Sequence, residues 1–205
     1  MELLEAINCR RTVRDFSKEE VPFEIIEKSL KAGLKAPSYN HLKQWDFILV
    51  KEQNIRLALT QTEKMTEKIT DELKQNFEGH DTLAKSMYLD AIPKQKRMLL
   101  TAPELLVVVY SPKTQISESK RVYDLNCLAS VWCCIENILL SLAESQVFRV
   151  TFIPKNTSEI KKILNIPQEL EVAAIIPFGY KNFSAKIIPQ KEVPLESRLH
   201  INNWQ

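Results

Sequence analysis

Apolar positions along the chain recur with two periods, and the switches between them mark its elements. Leu3, Leu4 and Ile7 share one face within Glu2 to Asn8 and predict a short helix. Val21-Pro22 opens a second helix, because proline suits a first turn. Ile25, Ile26, Ser29, Leu30 and Gly33 give it a stripe that ends near Ala36-Pro37. Trp45 to Val50 is aromatic and β-branched, hence a strand. Asn54 to Asn76 is charged, with a weak stripe of Ile55, Leu59, Met65, Ile69 and Leu73, and predicts one helix. Gly79-His80-Asp81 breaks it, and another helix is expected from about Thr82 to Leu100. Glu104 to Tyr110 is a continuous apolar run, the mark of a strand buried on both faces. Tyr123 to Ser145 is a long helix, apolar nearly all round, that serves as the spine of a domain or part of a subunit interface. Val147 to Ile153 alternates like a strand until Pro154. Thr157-Ser158-Glu159 caps a short helix through Leu164, and Glu171 to Tyr180 is a last buried strand ending in a glycine turn. The tail, 181–205, is irregular yet keeps Ile187, Ile188, Leu195, Leu199, Ile201 and Trp204, so it is expected to wrap its own core or a second copy of the chain. With no repeats or low-complexity linkers, the pattern predicts one α+β domain over 1–205, with helices on both sides of a sheet and a helical excursion at about 54–100.

Composition narrows the classes. A hydrophobic fraction of 44% supports a substantial core. A formal net charge of +2 gives no electrostatic case for nucleic acid or an anionic membrane surface. No apolar run approaches the ~18 residues of a membrane span, so no membrane association is expected. Acids among the first five residues, where a signal peptide carries bases, predict a cytoplasmic protein. The cysteines, Cys9, Cys127, Cys133 and Cys134, form no C-x-x-C and read as small buried hydrophobes. Cys9, beside Arg10 and Arg11, has redox chemistry as its alternative, because nearby cations lower a thiol pKa. No ligand set stands at zinc spacing, so no metal is expected.

The chemistry concentrates in Arg10-Arg11-Thr12-Val13-Arg14. If this stretch is extended, Arg10, Thr12 and Arg14 point one way; if helical, Arg10 and Arg14 share a face. Either arrangement lets guanidinium forks and a hydroxyl converge on an anion such as phosphate, against the simpler reading of a solvated basic turn. The chain has three glycines, Gly33, Gly79 and Gly179, too few for a Gly-rich phosphate loop. Any nucleotide-like phosphate must therefore rest on side chains.

These segments resemble, in order and spacing, the nitroreductase family of FMN-dependent oxidoreductases. Arg10-Arg11-Thr12-Val13-Arg14-Asp15-Phe16 matches its Arg-Arg-Ser-x-Arg-x-Phe signature with threonine for serine. Pro22 with the helix to Ala36-Pro37-Ser38, Gln44-Trp45-Asp46-Phe47-Ile48, the long apolar helix, the Ile-Pro element at Pro154, Ile166-Pro167, Pro177-Phe178-Gly179-Tyr180 and His200 to Trp204 follow. The resemblance implies a nitroreductase-like fold, with a central, mostly antiparallel sheet flanked by helices, and an intertwined homodimer with FMN at the subunit interface. Carried over by position, Arg10 and Thr12 hold the FMN phosphate, and Arg14 lies at the flavin pyrimidine edge. Arg11 either joins the phosphate or makes a structural pair. Pro37, Ser38 and Tyr39, with His41 behind them, come from the other subunit; His41 is a flavin contact or a plain loop histidine. The backbone at Ile153-Pro154-Lys155 sits by the redox-active edge, and Lys191 adds a second phosphate cation. The chain departs from the family pattern at His41, Lys43 and Gln44, at Gln146-Val147-Phe148 in place of Gly-Leu-Gly, and at Gln190-Lys191-Glu192 in place of Lys-x-Arg.

The implied activity is reduction of a small organic acceptor (nitroaromatic, quinone or similar) by NAD(P)H in a ping-pong hydride mechanism. No protein side chain is expected as catalyst, because the flavin N5 carries the chemistry. Two alternatives stand beside it: an FMN-binding protein with little turnover, and a dimeric scaffold whose arginines make only salt bridges.

Overall fold

The computed structural model describes residues 2–204; Met1 and Gln205, the ends of the expected domain, lie outside the described residues. Four strands, β1 (Trp45–Leu49), β2 (Glu104–Tyr110), β3 (Phe148–Arg149) and β4 (Glu171–Gly179), form one antiparallel sheet in the order β1-β2-β4-β3. Around it stand α1 (Leu3–Cys9), α2 (Phe23–Leu34), α3 (Gln53–Gln61), α4 (Asp71–Gln75), α5 (Thr82–Ala91), α6 (Gln95–Thr101), α7 (Asn126–Glu144) and α8 (Thr157–Ile163). This is the expected α+β architecture.

The central strand explains the layering. Every residue of β2 is buried, and alternate side chains enter two cores. Leu106, Val108 and Tyr110 pack with Ile26 of α2 and Ile135, Ile138 and Leu142 of α7. Leu105, Val107 and Val109 pack with Leu59 of α3, Met98 and Leu99 of α6 and Ile160 of α8. Close packing also explains Gly33: a Cβ there would fall 2.7 Å from Ile138 Cγ1, so the glycine sets how near α2 and α7 can lie.

Six expectations are corrected. The cysteines, expected as small buried hydrophobes, are buried only at Cys134, with Cys9 and Cys133 exposed and Cys127 half-buried. The single helix expected over Asn54–Asn76 is two, because the Thr62 N–H and hydroxyl both return to the Leu59 carbonyl (3.4 and 2.9 Å), closing α3. Helix α4 restarts only where the Thr70 hydroxyl accepts the Leu73 N–H. The helix expected over Thr82–Leu100 is interrupted by a 3-10 turn at Ile92–Lys94, since Pro93 has no N–H to offer an α-helix. The strand expected over Val147–Ile153 keeps a continuous ladder only at Phe148–Arg149. Val150 donates to the Pro177 carbonyl (3.3 Å), but Pro177 has no N–H to return; Phe152 and Ile175 then resume with a reciprocal pair of 2.8 Å bonds. The cap of α8 is Asn156, whose side chain accepts the Glu159 N–H, rather than Thr157. Lastly, the stretch Val122–Glu144 is long and apolar enough to cross a membrane by length and composition, although no such run was expected. In this fold its Val131, Ile135, Ile138 and Leu142 are buried in the core.

Among the described residues, α1 and the tail each leave apolar side chains uncovered within one chain. Leu3, Leu4 and Ile7 of α1 are exposed while Ala6 turns inward, and so are Phe183, Leu195, Leu199, Ile201 and Trp204 of the tail.

Candidate functional site

The basic stretch is extended. Thr12 bridges Arg149 of β3 in parallel, and the Val13 N–H donates to the Arg149 carbonyl (3.3 Å). Further along, Phe16 bridges Lys181, the Ser17 N–H donates to the Tyr180 carbonyl (2.8 Å) and the Asn182 N–H to the Asp15 carbonyl (2.9 Å). Val13 is fully buried, so extended geometry turns its neighbours Thr12 and Arg14 the other way.

There they line a cavity of about 350 Å³ together with Arg10 and Arg11. The opposite wall is the start of α5 (Asp81, Leu83, Ala84 and Met87) and the tail segment Ile188, Pro189, Gln190 and Lys191. Wall and tail are tied by Lys191 Nζ and Asp81 Oδ2 at 3.4 Å. Asp81 also caps α5 by accepting the Ala84 N–H (2.9 Å); that bond first, and Lys191 second, hold its carboxyl below the usual range.

Each arginine has its own company. Arg10 Nε lies 3.3 Å from Glu136 of α7, and Arg11 Nη1 donates to the Arg10 carbonyl (3.1 Å). Arg14 is 3.5 Å from Asp90 of α5. Burial lowers its guanidinium pKa, and Asp90 opposes that. Asp90 also holds Lys94 (2.6 Å), Lys94 holds Asp15 (2.6 Å), and Asp15 pairs with Arg97. This chain of alternating charge fastens α5 and α6 over the basic strand.

Paired with Thr12, but not itself lining the cavity, is Arg149, which sequence reading missed. It is 3% exposed; its Nη1 donates to the Val147 carbonyl (3.2 Å), and its Nη2 is buried with no hydrogen-bond partner among the described residues. Burial first, then the Arg10 charge, push its guanidinium down to about 9, and Glu136 opposes them. In the sequence it sat inside a segment read only as a strand. A charge within an apolar alternation was the one signal available.

The remaining expected residues lie elsewhere in the chain. Pro37, Ser38 and Tyr39 line a separate open hollow of about 320 Å³ with Asn126, Ala129, Ser130 and Cys133. Their loop is pinned to α7 by the Tyr39 N–H to Ser130 Oγ bond (2.9 Å) and bends through Asn40, His41 and Lys43, all with positive φ. His41 is exposed at that bend. Ile153 is exposed and Pro154 buried; neither lines the basic cavity. The cavity thus gathers Arg10, Arg11, Thr12, Arg14 and Lys191, and leaves the other six apart. Among the described residues, no group of three or more His, Cys, Asp and Glu is placed to hold a metal ion.

The lining joins cations and a hydroxyl at one side to Leu83, Ala84, Met87, Ile188 and Pro189 at the other. Such a surface suits a ligand with an anionic end and a flat apolar body, and its volume lies within the roughly 300–1,000 Å³ of small-molecule sites. FMN has both parts, and the unpartnered Arg149 Nη2 is a donor that an anion would satisfy.

Comparison with known proteins identifies the family. The family model described as Nitroreductase family matches residues 7–180. An iodotyrosine deiodinase of Thermotoga neapolitana is 30% identical over 184 residues, covering 90% of this chain and 91% of its own length. Iodotyrosine deiodinase 1 of Mus musculus is 27% identical, over 95% of this chain and 67% of its own. A solved oxidized iodotyrosine deiodinase bound to FMN and 3-iodo-L-tyrosine superposes with a TM-score of 0.77 at 26% identity, covering 99% of this chain and all of that one. A nitroreductase-family protein from Clostridium novyi NT shares the fold, with a TM-score of 0.69 at 21% identity over 90% of this chain and 87% of its own.

Proposed function

The chain belongs to the nitroreductase family, and from that premise we propose that it is an FMN-dependent oxidoreductase that reduces a small aromatic acceptor at the expense of NAD(P)H. The observation that carries this reading is the convergence of Arg10, Arg11, Thr12, Arg14 and Lys191 on one half-apolar cavity. Arg10 and Thr12, with Arg11 and Lys191 beside them, would hold the phosphate by charge-assisted hydrogen bonds. Arg14 would place its charge at the pyrimidine edge, with Asp90 setting how much of that charge is felt. Leu83, Ala84, Met87, Ile188 and Pro189 would exclude water, which strengthens those interactions. Bound there, FMN would supply the redox chemistry that links oxidation of NAD(P)H to reduction of the second substrate. The chain's own share is orientation and charge, and hydride transfer itself requires no acid or base from it.

A homodimer fits this reading. Pro37, Ser38, Tyr39 and His41 would meet the cavity of a second copy, and the exposed apolar residues of α1 and the tail offer the surface to bury. Light scattering of the purified protein at twice the chain mass of 23.7 kDa is the expected result.

The relatives favour a more specific acceptor. Iodotyrosine deiodinases recur among the similar proteins, and one is solved with an iodinated tyrosine bound. We therefore place a halogenated phenol beside nitroaromatics and quinones. NAD(P)H and an aryl iodide would yield NAD(P)+, the arene and iodide. The test is an anaerobic absorbance series: flavin bands in the purified or FMN-reconstituted protein, bleaching by NAD(P)H, then reoxidation by 3-iodo-L-tyrosine, a nitroaromatic or a quinone. Iodide release selects dehalogenation. A flavin that stays oxidised under excess NAD(P)H selects binding without turnover, and a protein that never takes up FMN overturns the proposal.

A further inference from the structure

The observation that the site's chemistry leaves over is Arg149. Its guanidinium is buried, and one of its nitrogens has no hydrogen-bond partner among the described residues. Arg149 does not itself line the cavity, but its backbone is bridged to Thr12, which does, and its carbonyl accepts the Val13 N–H. The nearest charges do not neutralise it. Arg10 repels it, and Glu136 is already 3.3 Å from Arg10 Nε. Two guanidiniums thus share one carboxylate, itself half exposed. A buried cation so weakly compensated is costly, and an anion that met it would offset that cost.

We propose that Arg149 completes the cation set that receives the phosphate of FMN, acting from β3 behind Arg10 and Thr12. This rests on the FMN reading above and adds to it a residue outside the Arg10–Arg14 stretch. The phosphate would supply the acceptor that Arg149 Nη2 lacks and offset the repulsion between Arg149 and Arg10. Guanidinium suits the role, since its planar fork can hold the Val147 carbonyl with one nitrogen and a phosphate oxygen with another.

The experiment compares FMN with riboflavin, which carries the same ring system without the phosphate. Apo-protein is titrated with each flavin and binding is read by flavin fluorescence, for the wild type, Arg149→Met and Arg149→Lys, with circular dichroism reporting the fold. Arg149→Met is expected to weaken FMN binding about 10- to 100-fold while leaving riboflavin binding unchanged. Arg149→Lys, which keeps the charge and loses the fork, should fall between. Unchanged FMN affinity, an equal loss for both flavins, or an effect confined to subunit dissociation would each overturn the assignment. If Arg149→Met does not fold, the ratio of FMN to riboflavin affinity in Arg149→Lys decides: a fall supports the role, and a wild-type ratio rejects it. A wild type that ignores FMN sinks the FMN reading and this inference together, whereas a wild type that binds FMN beside an unaffected variant sinks this inference alone.

Discussion

Two arginines are buried in this protein to nearly the same depth, and they mark opposite kinds of region. Arg56, on α3, is 5% exposed and Arg149, on β3, is 3% exposed. Burial is the largest influence lowering the pKa of each. Arg56 donates to three backbone carbonyls, those of Val50 (3.0 Å), Ala102 (2.5 Å) and Pro103 (3.1 Å), and the charge opposing its burial is the Glu104 carboxylate. It closes the corner where β1 ends and β2 begins. Arg149 donates to one carbonyl, has one nitrogen without a partner among the described residues, and feels the charge of another arginine. Burial alone therefore does not separate a structural cation from one that waits for a ligand; the satisfaction of its donors does.

The comparison can be broken at either end. The largest effect is expected at the satisfied corner. Arg56→Met removes three charged hydrogen bonds and strands their carbonyls, and should cost roughly 3–5 kcal/mol in urea unfolding of the apo-protein. Arg149→Met should act with the opposite sign on the same apo-protein, raising its stability by about 1 kcal/mol because an unsatisfied charge leaves the interior. The same variant should also show a smaller thermal shift than the wild type when FMN is added. Equal destabilisation by both substitutions would erase the distinction between the two arginines.

A finer test concerns Arg14, which lies between the two extremes with a single carboxylate partner at 3.5 Å. Asp90→Asn removes that opposing charge. Redox titration should then give bound FMN a midpoint potential higher by roughly 15–30 mV, since an uncompensated cation favours the electron-rich form. No shift would place the charge of Arg14 out of reach of the flavin. The smallest effect belongs to Asp81. Its folded carboxyl pKa is depressed, so its contribution to the start of α5 is present above the ordinary carboxylate pKa. That contribution fades as pH falls through the folded value. Exchange of the Ala84 amide, corrected for intrinsic rate, should quicken on acidification in the wild type and be fast at every pH in Asp81→Ala.

Much of the fold could be read from residues that act locally. The continuous apolar run of β2, the all-round apolar α7 and the proline at the entry to α2 each declare their element without help from distant contacts. Where the reading failed, a distant or small competitor intervened. Pro177 on β4 interrupts the ladder of the Val147–Ile153 segment from the facing strand. Pro93 and the Thr62 hydroxyl divide helices whose weak stripes gave little resistance.

The site divides in the same way. The order Arg10-Arg11-Thr12-Val13-Arg14 and the scarcity of glycine determined that any phosphate would rest on side chains, because residue chemistry and glycine count are properties of the chain itself. Which side chains share one cavity was decided only by the fold. Parallel pairing of Thr12 with Arg149, the turn of Val13 into the core, and the strap from Lys191 to Asp81 join segments far apart in sequence. Arg149 shows the reason most directly: its sequence neighbours say strand, and its missing hydrogen-bond partner exists only as a property of the packed interior.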